Sequence, residues 1–161
     1  MRPQITEDLE HCLDEDEPIN CVRTKKTHVS IKRPLYDEKI YAFDEVLGPS
    51  STQKSTYDVV GKGAVEAVME GFNGTVLCYG QTGSGKTYTM FGEASEGIVP
   101  RTLKRIFSSK FRVKVNMSYV QIYCETIQDL LDPSNTTQIF VRESERTPVL
   151  EGASRTDVES F

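Results

Sequence analysis

At 161 residues, with 37% apolar and 27% charged residues, the chain is long enough for one ordinary domain with a buried core. That balance excludes a disordered or low-complexity polypeptide. Nineteen basic against twenty-four acidic residues give a net charge of -5, which speaks against binding nucleic acid or an anionic membrane through bulk charge. An acidic partner would be repelled unless a local basic patch met it.

In chain order, residues 4–20 are acidic and polar (Glu7, Asp8, Glu10, Asp14, Glu15, Asp16, Glu17) and read as a solvated loop, with an acidic interaction tail as the alternative. Cys21–Arg23 and His28–Lys32 alternate and predict a small hairpin at a sheet edge, with His28 facing solvent. Lys39–Asp44 predicts a strand that ends before Gly48-Pro49. From Ser55 to Glu70 the apolar residues Tyr57, Val60, Ala64, Val65 and Val68 follow a helical stripe. Ser51, Thr52 and Ser55 are candidate caps for that helix, and Gly71 is its stop.

Thr75-Val76-Leu77-Cys78-Tyr79 is a short β-favouring run, in which Cys78 reads as a small buried thiol. The four cysteines (Cys12, Cys21, Cys78, Cys124) show neither C-x-x-C nor metal spacing. With no signal peptide or transmembrane run in view, the expected compartment is reducing and intracellular. Immediately after this run comes Gly80-Gln81-Thr82-Gly83-Ser84-Gly85-Lys86-Thr87, which satisfies G-x-x-x-x-G-K-[ST]. Glycines let successive backbone N–H groups converge on a phosphate. Lys86 can reach the β- and γ-phosphates, and the Thr87 hydroxyl can take one site on Mg²⁺. A helix opening at Lys86 would favour an anion at its N-terminus. The competing reading, a glycine-rich surface turn with a stray lysine, does not account for the strand before it and the helix after it.

Beyond Met90 a glycine-bounded loop, Gly92–Gly97, precedes a second helical piece started by Pro100 and running through Leu103, Ile106 and Phe107. Phe111, Val113, Val115, Met117 and Tyr119 alternate, and the run to Tyr123 predicts one long strand. Thr126 to Leu131 predicts one or two helical turns ended by Asp132-Pro133. Ile139–Val141 with Val149–Gly152 predicts a hairpin. Strands alternating with helices around a phosphate loop give an α/β class: a P-loop NTPase-type mixed sheet with helices on both faces.

Gly71-Phe72-Asn73-Gly74-Thr75-Val76, with Tyr79 to Met90, closely resembles the phosphate-loop signature of kinesin motor domains. Arg2-Pro3 looks like the end of that family's adenine-pocket motif R-x-R-P, and Tyr41–Val46 like its F-x-F-D-x-V strand. Gly97–Arg101, Ser118–Tyr123 and Asp129–Asp132 are similar to later landmarks in the same order, and the wording around Ser118–Asp132 is closest to kinesins bearing armadillo repeats. The resemblance implies that Gly80, Gln81, Thr82, Gly83, Ser84, Gly85, Lys86 and Thr87 hold the phosphates of ATP, with Mg²⁺ on Thr87. It also implies that Arg2, Pro3 and Tyr88 border the adenine.

By the same resemblance, residues 1–161 correspond to a partial motor domain that starts after the family's first strand and ends before the switch I region. The sequence contains neither N-x-x-S-S-R-S-H nor D-x-x-G-S-E, so no catalytic residue is assigned within it. The implied function is the ATP-binding part of a kinesin-type ATPase moving along microtubules in the cytoplasm and cytoskeleton. Most tubulin contacts would lie past Phe161, the parent protein would carry a coiled coil compatible with a dimer, and no nucleic acid or membrane partner is expected. On that reading this chain alone is not motile. A non-hydrolysing nucleotide-binding or regulatory fragment is the alternative. A small P-loop kinase or GTPase fits less well, because no N-K-x-D motif is present.

Overall fold

The alternating stretches near the start form a meander in a computed structural model, which describes residues 22–32, 35–109, 113–143 and 148–160. Strands β1 (Val22–Thr24), β2 (His28–Ile31) and β3 (Lys39–Ala42) pair antiparallel in the order β1-β2-β3. Val22 lies opposite Ile31, and Ile31 opposite Lys39. The turn joining β1 and β2 is held from behind, since Phe43 N–H donates to the Thr27 carbonyl and Val46 N–H to the Lys26 carbonyl, each at 2.8 Å. The expected hairpin and strand are therefore present, and His28 is exposed. The acidic stretch at residues 4–20 lies outside the described residues.

The predicted helix begins two residues early because Thr52 caps it. Its Oγ1 accepts from Ser55 N–H at 3.1 Å, and Ser55 Oγ accepts from Thr52 N–H at 2.9 Å, a reciprocal capping box. Helix α1 (Gln53–Thr56) continues through a π turn (Tyr57–Gly61) into α2 (Lys62–Met69), and the chain leaves it at Gly71, as expected. Only part of the predicted stripe is core: Val65 is buried, whereas Val60 and Val68 are exposed.

Residues 72–80 are assigned to no strand. Here the structure departs from the expected buried strand before the loop. Leu77 and Tyr79 are 83% and 84% exposed, and Cys78 is half-buried rather than buried. The β-favouring run has no ladder partner among the described residues, and without one its backbone groups cannot form sheet bonds. The α/β class holds, but the sheets formed by the described residues are small and antiparallel, and none carries the loop.

Helix α3 (Lys86–Phe91) follows the loop, and α4 (Ile98–Phe107) follows the Gly92–Gly97 connection. Pro100 sits in the first turn of α4, where no intrahelical N–H bond is lost. That connection is closed by Gly97 N–H donating to the Phe91 carbonyl at 3.0 Å and by Arg101 Nε donating to the Glu96 carbonyl at 2.9 Å, with an ion pair between Lys104 and Glu96. Ile98 is buried at the start of α4.

The chain divides into two compact units at Ile106/Phe107. In the second, two expectations fail. Phe111, where the predicted strand begins, lies outside the described residues; beyond it the strand is broken into β4 (Val115–Met117) and β5 (Val120–Tyr123), because the two halves take different partners. β4 pairs with β9 (Thr156–Val158), and β5 pairs with β6 (Thr126–Asp129). The predicted helical turns at Thr126–Leu131 are therefore largely the strand β6. Cys124 and Glu125 both have positive φ (47° and 60°), as a two-residue hairpin turn demands, and this folds Thr126 back beside Tyr123. The expected last hairpin is present as β7 (Phe140–Glu143) and β8 (Pro148–Glu151).

Asp129 organises this unit. It is buried, and its carboxylate accepts from the N–H groups of Leu131 (2.9 Å), Asp132 (3.2 Å) and Ser154 (2.7 Å) and from Asn135 Nδ2 (3.1 Å). The Ser154 N–H beside it is the main reason that its carboxyl is held far below the usual carboxylate range. Among the described residues no helix is long and apolar enough to cross a membrane.

Candidate functional site

The loop Gly80–Thr87 joins the extended run to α3, and its shape comes from its glycines. Gly83 and Gly85 have φ of 81° and 83°, in the left-handed region that a side chain disfavours. Gly85 is also the N-cap of α3 (φ 83°, ψ 17°) and offers no side chain to cap it. The first-turn N–H groups of Lys86 and Thr87 are thus left without a capping side chain, which is what an incoming anion requires. Gly80 combines a positive φ of 156° with a contact: a Cβ there would lie 2.5 Å from Ser84 Oγ and 3.1 Å from Ser84 Cβ, so a side chain at the first position would force Ser84 to shift.

Lys86 bends back over the loop. Its Nζ donates to the Gly80 carbonyl at 2.8 Å and to the Gln81 carbonyl at 2.7 Å, and Ser84 N–H donates to the same Gln81 carbonyl at 3.2 Å. The ammonium therefore sits at the mouth of the loop, held by two neutral acceptors and, among the described residues, by no carboxylate. Gln81, Thr82, Gly83 and Thr87 are exposed, while Gly80, Ser84, Gly85 and Lys86 are half-buried. The structure brings the eight predicted loop residues into one compact turn. Arg2 and Pro3 lie outside the described residues, so Tyr88 is the one adenine-pocket candidate on view, and it is half-buried in the first turn of α3.

One contributor escaped the sequence reading. Gln53, 5% exposed at the start of α1, donates from Nε2 to the Tyr88 carbonyl at 2.6 Å and ties α1 to α3 behind the loop. The only hint in the sequence was a long polar side chain next to a strong N-cap. Among the described residues no group of three or more His, Cys, Asp or Glu could hold a metal ion.

The kinesin motor domain family model matches residues 1–161. The chain belongs to the kinesin motor domain family. It is 39% identical to kinesin-like protein KIN-UA of Oryza sativa subsp. japonica over 98% of its own length and 18% of that protein. It is 41% identical to kinesin-like protein KIN-UB of Arabidopsis thaliana over 81% of the chain and 15% of that protein. With the kinesin heavy chain of Drosophila melanogaster it shares 38% identity over 76% of the chain and 14% of the relative. The chain thus spans less than a fifth of the length of these relatives. Kinesin motors bind ATP with Mg²⁺ and hydrolyse it, and the loop Gly80–Thr87 lies inside the matched region.

Proposed function

We propose that Gly80–Thr87 binds the triphosphate of ATP and that the chain is the nucleotide-binding part of a kinesin-type motor, in which hydrolysis is coupled to movement along microtubules. The observation that carries this reading is the loop itself: two glycines in the left-handed region lead into an uncapped helix start, with a lysine ammonium folded over the opening. The donor set suits a phosphate, since it consists of backbone N–H groups and one ammonium with no carboxylate partner among the described residues. Bound Mg²⁺ would neutralise charge between the β- and γ-phosphates, and Thr87, exposed at the second position of α3, is the residue to hold it.

On binding, Lys86 exchanges the carbonyls of Gly80 and Gln81 for phosphate oxygens. Charge-assisted bonds are roughly twice as strong as those to neutral acceptors, so the exchange favours the ligand. Gln53 keeps α3 in place during that exchange through the Tyr88 carbonyl. Tyr88, together with Arg2 and Pro3, is proposed to border the adenine. Microtubule contact, a dimeric parent and a cytoplasmic, cytoskeletal location belong to the whole protein by the same family reasoning.

Isothermal titration of Mg·ATP into the 161-residue chain tests the reading. Saturable binding, displaced by pyrophosphate and far less by adenosine, is expected. No saturable binding, or displacement by adenosine alone, would contradict it. The second reading is a nucleotide-binding module that does not hydrolyse ATP. Phosphate release measured with and without microtubules separates the two: release above background identifies the motor reading for this chain.

A further inference from the structure

The three-stranded sheet gathers Arg23, Lys25 and His28 on one face and leaves Lys39 alone among the charged residues of the other. Its register sets Arg23 opposite Ser30, Ser30 opposite Ile40, and His28 opposite Ala42. Lys25 N–H donates to the His28 carbonyl at 2.8 Å, which extends the first ladder to a Lys25/His28 rung. Directly opposed residues point to the same side of a sheet, and successive residues to opposite sides. One face therefore collects Arg23, Lys25 and His28 with Ser30, Ile40 and Ala42. The other collects Val22, Thr24, Val29, Ile31, Lys39 and Tyr41.

On the first face Arg23, Lys25, His28, Ala42 and Ile40 (64%) are exposed and Ser30 is half-buried; on the other, the half-buried residues are the aliphatic Val22, Val29 and Ile31, while Thr24, Lys39 and Tyr41 are exposed. Arg23, Lys25 and His28 take part in none of the ion pairs formed among the described residues. Lys26 adds an exposed cation at the turn, whose backbone is fixed by the bonds from Phe43 and Val46. In a chain of net charge -5, this is the local basic patch that an acidic partner would need.

From this division we infer that the Arg23/Lys25 face of the sheet binds an extended acidic segment of another polypeptide. Arg23 in β1 and Lys25 on the rung just past its end stand two residues apart, about 6.7 Å at strand spacing, which is the repeat of alternate carboxylates on an extended peptide. Ile40 and Ala42 supply apolar surface beside the cations for the peptide's stems. The fixed turn presents the cations at little ordering cost. The face carries no aromatic ring on which a nucleic-acid base could stack. The negative remainder of the chain opposes a polyanion that continues past the patch, such as a duplex or a membrane. A short acidic segment meets neither objection.

The test is fluorescence anisotropy of a labelled ten-residue peptide of alternating glutamate and alanine, titrated with the full 161-residue chain at about 50 mM salt, where screening is weak. The seven carboxylates of residues 7–17 then compete equally in every variant. The double variant R23Q/K25Q should bind about 5-fold or more weakly, as expected for two exposed charge pairs. The control K39Q/K62Q makes the same change in net charge, with Lys39 on the opposite face and Lys62 on α2, and should stay within about 2-fold of wild type. Equal losses in both variants, no saturable binding by the wild type, or tighter binding of a single-stranded oligonucleotide of equal charge would each overturn the inference. These outcomes do not depend on the phosphate loop, which none of the substitutions touches.

Discussion

Single residues decide whether the phosphate loop can close. Gly80 is favoured on two counts, its positive φ of 156° and contact, since the nearest atom to an added Cβ is Ser84 Oγ at 2.5 Å. Gly80→Ala should therefore weaken ATP binding by about 10-fold, the factor that corresponds to about 1.4 kcal/mol. Adding Ser84→Gly should recover part of that loss, read by the same titration. This part of the site was legible in the sequence because the pattern of glycines, lysine and threonine encodes its own geometry. Gln53 was not, since nothing in its neighbours reports that it reaches a carbonyl 35 residues away. Gln53→Ala removes a buried 2.6 Å hydrogen bond and should cost about 1–2 kcal/mol of stability, measured by urea unfolding. It should also loosen ATP binding, whereas Lys62→Ala, at an exposed position of α2 outside the ion pairs formed among the described residues, should change neither by more than about 0.5 kcal/mol.

At the scale of elements, local signals held where the turn or cap is written in adjacent residues. Thr52 and Ser55 spell out the capping box, and Pro100 marks the first turn of α4. They failed where pairing decides. The spacing of Ile127, Leu130 and Leu131 is compatible with a helix, yet Cys124 and Glu125 adopt positive φ and fold Thr126–Asp129 against β5. Alternation continues from Val113 to Tyr119, but it carries no record of the partner change between β4 and β5. The change falls where Leu130 N–H donates to the Tyr119 carbonyl at 2.8 Å. β9 is three residues long and had no signal of its own. Asp129 then links these pieces through four donors, and its carboxyl is held far below the usual range mainly by Ser154 N–H. A depressed folded-state pKa gives stability that is full above the unfolded value near 4 and declines as pH falls below it. Unfolding midpoints measured from pH 6 down to pH 2 should fall for the wild type. Asp129→Asn should be less stable at pH 6 and should show a flatter profile. An equally steep profile in the variant would place the acid sensitivity elsewhere.

For the molecule as a whole, membership in the kinesin motor domain family was legible because several landmarks recur in order along most of the chain, the phosphate loop being one. The larger sheet expected to support that loop was not found among the described residues, and its absence has a physical signature. Phe72, Leu77 and Tyr79 are 67%, 83% and 84% exposed, an apolar stripe that a stable monomer rarely leaves in water. The 161-residue chain should therefore self-associate as its concentration rises. Leu77→Asn should reduce that association in sedimentation velocity while changing the unfolding free energy by less than about 0.5 kcal/mol. A large loss of stability would show that Leu77 is buried in solution.

The most direct measurement of the central claim is the affinity of the chain for Mg·ATP with and without the lysine of the loop. If Lys86 leaves Gly80 and Gln81 to meet the phosphates, Lys86→Ala should weaken binding by about 10-fold or more while the unfolding midpoint stays within error of wild type. Unchanged affinity in a folded Lys86→Ala chain would mean that the nucleotide, if bound at all, does not use this loop.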